Sequence, residues 1–145
     1  MSEDKLTGHG ALGLRLALGI MFIALALLKV LVFTIPGTIG FFESVGLPGF
    51  TAYLVIAAEL AGGTALILGV YVRLVSLALV PVLLGAVWVH LPNGWVFSAE
   101  GGGWEYPVFL TVAVLVQALI GAGSMAVNQP FGQLPGTALG KLSAS

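Results

Sequence analysis

The chain has 145 residues, of which 59% are hydrophobic and 8% charged, and its mean hydropathy is +1.10. Soluble domains carry about 25% charged residues, so too little polar surface remains here to clothe a water-soluble globule; lipid is the solvent for most of the protein. A net charge of −1 with no basic tract argues against nucleic-acid binding. The absence of cysteine excludes disulfides, thiolate nucleophiles and cysteine-ligated clusters within the chain.

The head, Met1-Ser2-Glu3-Asp4-Lys5, is polar. The apolar run after it exceeds the about 7–15-residue core of a signal peptide and reads as a retained first span. A spanning helix needs about 20 mostly apolar residues, and four segments meet that need: residues 12–33, 51–70, 74–91 and 106–127. The expected fold is therefore all-α, a four-transmembrane-helix bundle over residues 1–128, followed by a flexible tail over 129–145 rich in Gly, Ser, Pro and Ala. The first connection carries Phe41, Phe42 and a Gly46-Leu47-Pro48 turn, which suggest a short interfacial segment. The second connection is so short that the second and third spans must form an antiparallel hairpin. Pro81 falls within the third span and is expected to kink it, whereas Pro107 lies in the first turn of the fourth, where its missing N–H costs little.

Basic residues set the orientation. Lys5 and Arg15 precede or open the first span, Arg73 lies at the second connection and Lys141 in the tail, while the first and third connections carry only acidic charges. The positive-inside rule then predicts that both termini are cytoplasmic. Trp88, Trp95 and Trp104 gather near the opposite face, as an aromatic belt would. Arg15 and Arg73 read as membrane-edge anchors whose side chains snorkel to water.

Lys29 and Glu59 are opposite charges inside these spans, and each lies fourteen residues from one of the two arginines. At ~1.5 Å per residue both sit roughly 21 Å from that edge, so they meet at one depth if their helices run antiparallel. Intramembrane charges usually mark functional sites; a structural ion pair, or a lysine snorkelling outward, is the plainer alternative. His90, seventeen residues past Arg73, falls about one turn beyond the pair. It is suited to hydrogen-bonding a quinone carbonyl or relaying a proton, and equally to being a satisfied interfacial histidine. Glu105 and Tyr106 open the fourth span on the same side and complete the candidate ligand-binding set of Lys29, Glu59, His90, Glu105 and Tyr106, although both also suit a helix start and an aromatic belt. The run Gly101-Gly102-Gly103 reads as a flexible turn that lets Glu105 fold inward. Small residues three, four or seven positions from Glu59 (Gly62, Gly63, Ala52), from Gln117 (Ala113, Gly121) and from His90 (Ala86) put each of these polar residues on a packing face. No metal-ligand spacing, nucleophile elbow or dinucleotide fingerprint is present.

These residues, in this order, resemble the DoxX family of small bacterial membrane proteins, from about residue 13 to 128. The resemblance rests on Arg15, Lys29, Gly46-x-Pro48, Ala58-Glu59-Leu60-x-Gly62-Gly63, Gly69-x-x-x-Arg73, His90, Gly103-x-Glu105-Tyr106-Pro107 and Gly121-x-Gly123. Two positions depart from the family pattern: Ala26 stands where glycine is frequent, and Ala126-Val127-Asn128 where Ser-Leu-Asp is frequent. The resemblance implies a four-helix membrane protein, some of whose relatives are subunits of thiosulfate:quinone oxidoreductases or of thiol-stress redox complexes. The expected function is a small, partner-dependent membrane subunit of such a system. It would hold a quinone-like ligand, and no covalent cofactor, in the half of the bundle that bears His90, with the bilayer and a redox subunit as partners; homo-oligomerisation is left open. A proton-coupled small-solute transporter and a membrane scaffold or assembly protein are the rival readings.

Overall fold

The computed structural model describes residues 2–96 and 98–126, all of whose regular elements are helical. Helix α1 (Glu3–Leu27) runs directly into a π turn (Leu28–Val32). A short α2 (Ile35–Ser44) follows, then α3 (Thr51–Leu68), α4 (Val72–His90), a 3-10 turn (Leu91–Asn93) and α5 (Glu105–Ile120). Three helical stretches are long and apolar enough to cross a membrane, and α5 is a shorter apolar helix of 16 residues, about 24 Å long. The protein is a helical membrane bundle. The expected tail over residues 129–145 lies outside the described residues.

Two helix limits differ from the sequence reading, each for a local reason. α1 begins nine residues before the apolar run, because Ser2 caps it by accepting from the Lys5 N–H at 3.3 Å and Glu3 and Asp4 complement the positive end of its dipole. α5 ends at Ile120, short of the expected span, because Gly121 (φ 77°) and Gly123 (φ 69°) leave the right-handed region. The interfacial segment expected in the first connection is α2, with Phe41 and Phe42 packed edge to face at 6.4 Å. α4 continues through Pro81 as one helix.

The helices pack chiefly as two pairs, α1 with α3 and α4 with α5, and the pairs meet along α3–α4 and α1–α5. The closest approach in the first pair is reciprocal. A β-carbon on Gly19 would stand 2.7 Å from the Gly63 carbonyl oxygen, and one on Gly63 2.8 Å from that of Gly19. Only two glycines let these backbones touch, as small residues do where lipid supplies no hydrophobic drive between helices. Gly62 turns the other way, against Leu79 of α4. The space between the pairs is filled by Leu18, Phe22, Leu66, Leu79, Leu83, Leu110 and Val114. This apolar layer separates an arginine end, where α3 and α5 finish, from a tryptophan end, where α2 and the turn into α5 lie.

Arg15 does not snorkel. It is wholly buried, and its guanidinium turns into the bundle. There it donates to the carbonyls of Leu66 and Ile67 in the last turn of α3, and to those of Ala122, Ser124 and Met125 after α5, at 2.5–3.0 Å. The last carbonyls of a helix have no intrahelical donor, and no water reaches them in lipid. One planar cation with five N–H groups serves both helix ends and neutralises the negative ends of their dipoles. Arg73, the second expected anchor, is half-buried, with its guanidinium lying against Gly121. Its Nε, Ser76 Oγ and Gln117 Oε1 are buried polar atoms without a partner among the described residues. Gln117 spends its amide hydrogens on the carbonyls of Ala11 and Gly121.

An Arg15→Lys change keeps the charge but concentrates the donors on one nitrogen, which cannot reach carbonyls on two chain segments. It should cost about 2–4 kcal/mol of stability and loosen residues 121–125 before the rest of the bundle. Hydrogen exchange in detergent micelles reads this directly; unchanged protection at those amides would mean that Arg15 does not hold them.

Candidate functional site

At the tryptophan end the α1–α3 pair presents two charges to each other. Lys29 Nζ lies 2.8 Å from Glu59 Oε1, with side chains 19% and 4% exposed. The antiparallel pairing of α1 and α3 thus brings together the two residues that their spacing put at one depth, and the lysine is paired rather than snorkelling. Glu59 is buried on α3, one turn from Gly62 and Gly63, so the glycine contact that lets the helices approach also carries the carboxylate to the lysine.

The local backbone at Lys29 is unusual. Lys29 sits in the π turn, which the Phe33 N–H closes by donating to the Leu28 carbonyl at 3.0 Å. π turns inside helices are rare and concentrate at functional sites. The Lys29 carbonyl accepts from the buried Thr38 hydroxyl of α2 at 2.9 Å, and the Lys29 ammonium also reaches back to the Leu25 carbonyl at 3.4 Å. Thr34, with φ 67°, caps α2 by accepting from the Gly37 N–H at 3.2 Å. A β-branched residue at positive φ is an outlier that only a well-determined surrounding holds. The α2 segment is thereby bound onto the turn that carries the lysine. Nothing in the run Leu28-Lys29-Val30-Leu31-Val32 announces a π turn, and Thr38 is one threonine among several; sequence reasoning passed over both.

The α4–α5 pair brings the second half of the site. His90, the last residue of α4, directs Nδ1 to the Ala86 carbonyl at 2.7 Å and stacks edge to face on Tyr106 at 5.4 Å between centroids. The carbonyl can only accept, so Nδ1 carries the hydrogen. Tyr106 packs against the apolar core that fills the space between the two pairs. Gly102 (φ 83°) crosses over His90; a β-carbon there would stand 3.4 Å from Cδ2 and 3.7 Å from Nε2. The triglycine run therefore roofs the histidine rather than only loosening the chain. Glu105 is the first residue of α5, half-buried, and its N–H donates to the Trp95 carbonyl at 3.3 Å. Trp95 and Trp104 meet edge to face at 4.4 Å beside it.

The structure thus groups Lys29, Glu59, Thr38, Tyr106 and His90 toward one end, with Glu105 at the helix start beside them. Arg15 and Arg73 belong to the opposite end. Chemically the site combines one carboxylate, one ammonium, one phenol and one imidazole beneath a glycine and tryptophan rim. Such sparse convergent polar groups in apolar walls are the usual form of a small-ligand site.

Comparison with known proteins agrees with this architecture. The family model described as DoxX matches residues 10–91, which include Arg15, Lys29, Glu59, Arg73 and His90 but not Glu105 or Tyr106. A Bacillus subtilis (strain 168) protein described as "Putative oxidoreductase CatD" is 37% identical over 123 residues, 84% of this chain and 86% of that protein. No solved structure matches the chain. The chain belongs to the DoxX family.

The ion pair sets an energetic expectation. Removing one member leaves the other charged, buried and unpaired, at a cost of about 3–5 kcal/mol in protein interiors. Lys29→Ala and Glu59→Ala should each destabilise the protein more than the double change does. A double-mutant cycle of unfolding in detergent or bicelles measures the coupling, and a coupling near zero would contradict the contact.

Proposed function

We propose that this DoxX-family membrane protein is the small membrane subunit of a quinone-linked oxidoreductase system, of the thiosulfate or thiol-stress kind, and that it binds a quinone-like ligand between its two helix pairs. The observation that carries the reading is the Lys29–Glu59 ion pair on one helix pair and the Tyr106–His90 ring contact on the other, toward the same end of an otherwise apolar bundle. A flat aromatic headgroup with polar atoms at its ends would suit polar groups so placed, and its tail would leave into lipid. The relative described as an oxidoreductase supports the redox context. With no cysteine in the chain, we assign electron exchange to a partner subunit. The transporter reading is less well supported, because Phe22, Leu66, Leu79 and Val114 fill the bundle between its two polar ends.

The membrane is the bacterial inner membrane in this reading, with the arginine end cytoplasmic, since Lys5, Arg15 and Arg73 all belong to that end. The chain lacks native cysteine, so single cysteines report cleanly. A cysteine at Glu100 should react with a membrane-impermeant maleimide in spheroplasts and one at Ser2 should not; the reverse pattern would invert the topology.

Purified protein, alone and with its natural partner subunit, should bind a soluble ubiquinone or menaquinone analogue, supplied in its oxidised or reduced form. His90→Phe keeps the bulk and removes the nitrogens, so it should weaken that binding about tenfold and leave the fold intact. Absence of binding in both redox forms, with the partner present, would overturn the quinone reading and return the choice to transport or scaffolding.

A further inference from the structure

Two donors compete for the backbone carbonyl of Lys29. In an α-helix it would accept from the Phe33 N–H, four residues on. Here the Phe33 N–H goes to the Leu28 carbonyl at 3.0 Å, which is what makes the turn a π turn. The vacated position is filled from α2, whose Thr38 hydroxyl donates to the Lys29 carbonyl at 2.9 Å. Thr38 is the one buried residue of α2, whereas Gly37, Gly40, Phe41 and Ser44 are exposed. The same hydroxyl has a second acceptor at the same distance, the Thr34 carbonyl one turn back in α2, at 2.9 Å. Its single hydrogen can swing from one oxygen to the other. With that hydrogen on Thr34, the Lys29 carbonyl is open to the Phe33 N–H, and the Leu28 carbonyl returns to the Val32 N–H, as in a regular helix. Both registers keep these backbone groups paired, the condition that lipid imposes.

We infer that the Lys29 turn is a two-register switch with Thr38 as its catch. Seated, α2 holds the π register and the Lys29–Glu59 pair; withdrawn, it lets the turn wind as α-helix and parts the two charges. The registers differ in where Lys29 points. Each residue of an α-helix advances roughly 100° about the axis, so expelling the extra residue of the π turn re-aims the side chains it carries. The ammonium stands 2.8 Å from Glu59 Oε1, and a hydrogen-bonded contact tolerates little change of distance or angle. The placement of α2 suits a catch. It packs on α3 and on the π turn, and its bend from that turn is made at Thr34, with φ 67°. A β-branched residue at positive φ holds strain that withdrawal of α2 relieves. The switch needs no ligand, so it stands or falls apart from the quinone reading.

Thr38→Val keeps the shape and removes the hydroxyl, Thr38→Ala removes bulk as well, and Thr38→Ser keeps the hydroxyl. Lys29–Val30 is the one Lys–Val bond in the chain. Isotopic labelling of lysine carbonyl carbon and valine nitrogen therefore gives a single NMR correlation, which reports the Lys29 carbonyl in the full chain in micelles. In Thr38→Val and Thr38→Ala that carbonyl should keep the signal of a hydrogen-bonded helical carbonyl, because the Phe33 N–H takes the place of the hydroxyl. The Lys29–Glu59 coupling, measured by a double-mutant cycle in each background, should lose most of its size in Thr38→Val and keep it in Thr38→Ser. A Lys29 carbonyl left unbonded in Thr38→Val would mean that the π register persists without its catch, and would overturn the switch. So would a coupling that stays at its wild-type size in Thr38→Val, or one lost equally in Thr38→Ser, since bulk rather than the hydroxyl would then hold the turn. If Thr38→Val does not fold, Thr38→Ala decides in its place. If neither folds, the hydroxyl is a condition of the fold and not a catch, which overturns the switch as well.

Discussion

One guanidinium closes the bundle. The carbonyls that end α3 and those that follow α5 lie on segments far apart in sequence, and Arg15 accepts the task of satisfying both. In lipid every backbone polar group must be satisfied within the protein, so two helix ends brought together without a donor would be untenable. With the arginine between them, they become the point from which the register of α1 against α3 is fixed. From that point α1 runs fourteen residues to Lys29, and α3 leads back to Glu59 across the Gly19–Gly63 contact. The ion pair is thus a consequence of the same alignment that the arginine holds. A slip of one helical turn would move the carboxylate ~5.4 Å along the bundle axis and break it.

Polar chemistry is confined to two levels. Arg15, Arg73, Ser76 and Gln117 occupy one, and Lys29, Thr38, Glu59, Tyr106 and His90 the other. Between them lie leucines, Phe22 and Val114 at close to zero exposure. Interiors of this density leave few voids that admit even one water. The level at the arginine end is engaged largely with backbone carbonyls, as a structural fastening would be. The other level sets its two charges against each other and its imidazole against one carbonyl and one phenol ring. This division, more than the presence of charge as such, is what the proposed ligand site rests on.

Much of this was legible in the sequence. Composition dictated lipid as the solvent, and equal spacing from two arginines located the meeting of Lys29 and Glu59, because helical rise is uniform. The packing faces around Glu59 were legible because small residues recur there at helical spacing. Where the reading failed, it failed on tertiary partners. Arg15 looked like an edge anchor because arginine near a span end usually reaches for water; its inward turn depends on five carbonyls contributed by segments more than fifty residues away. The early end of α5 depends on two glycines adopting positive φ, a choice that their mere presence does not dictate. The π turn and the Thr38 hydrogen bond are invisible for a similar reason, since any apolar run can host the one and any threonine can make the other.

The π turn also explains how a lysine can remain partly available in a membrane interior. A regular helix would bind the carbonyls around position 29 to its own N–H groups and leave the direction of the side chain to helical phase alone. Inserting the wider turn changes that phase, and Thr38 repairs the carbonyl it frees. Thr34 at positive φ then holds α2 against the repair. A π turn and a β-branched residue at positive φ in close succession are costly for a chain that needs only to cross a bilayer, since strained positive-φ residues alone cost about 1–3 kcal/mol. Their joint effect is to set one ammonium against one carboxylate. Strain of this kind persists where geometry is worth more than local comfort. Beside Lys29 it accompanies a π turn within a helical run, whereas the two positive-φ residues at the arginine end, Tyr71 and Met125, stand at the start of α4 and beyond the end of α5.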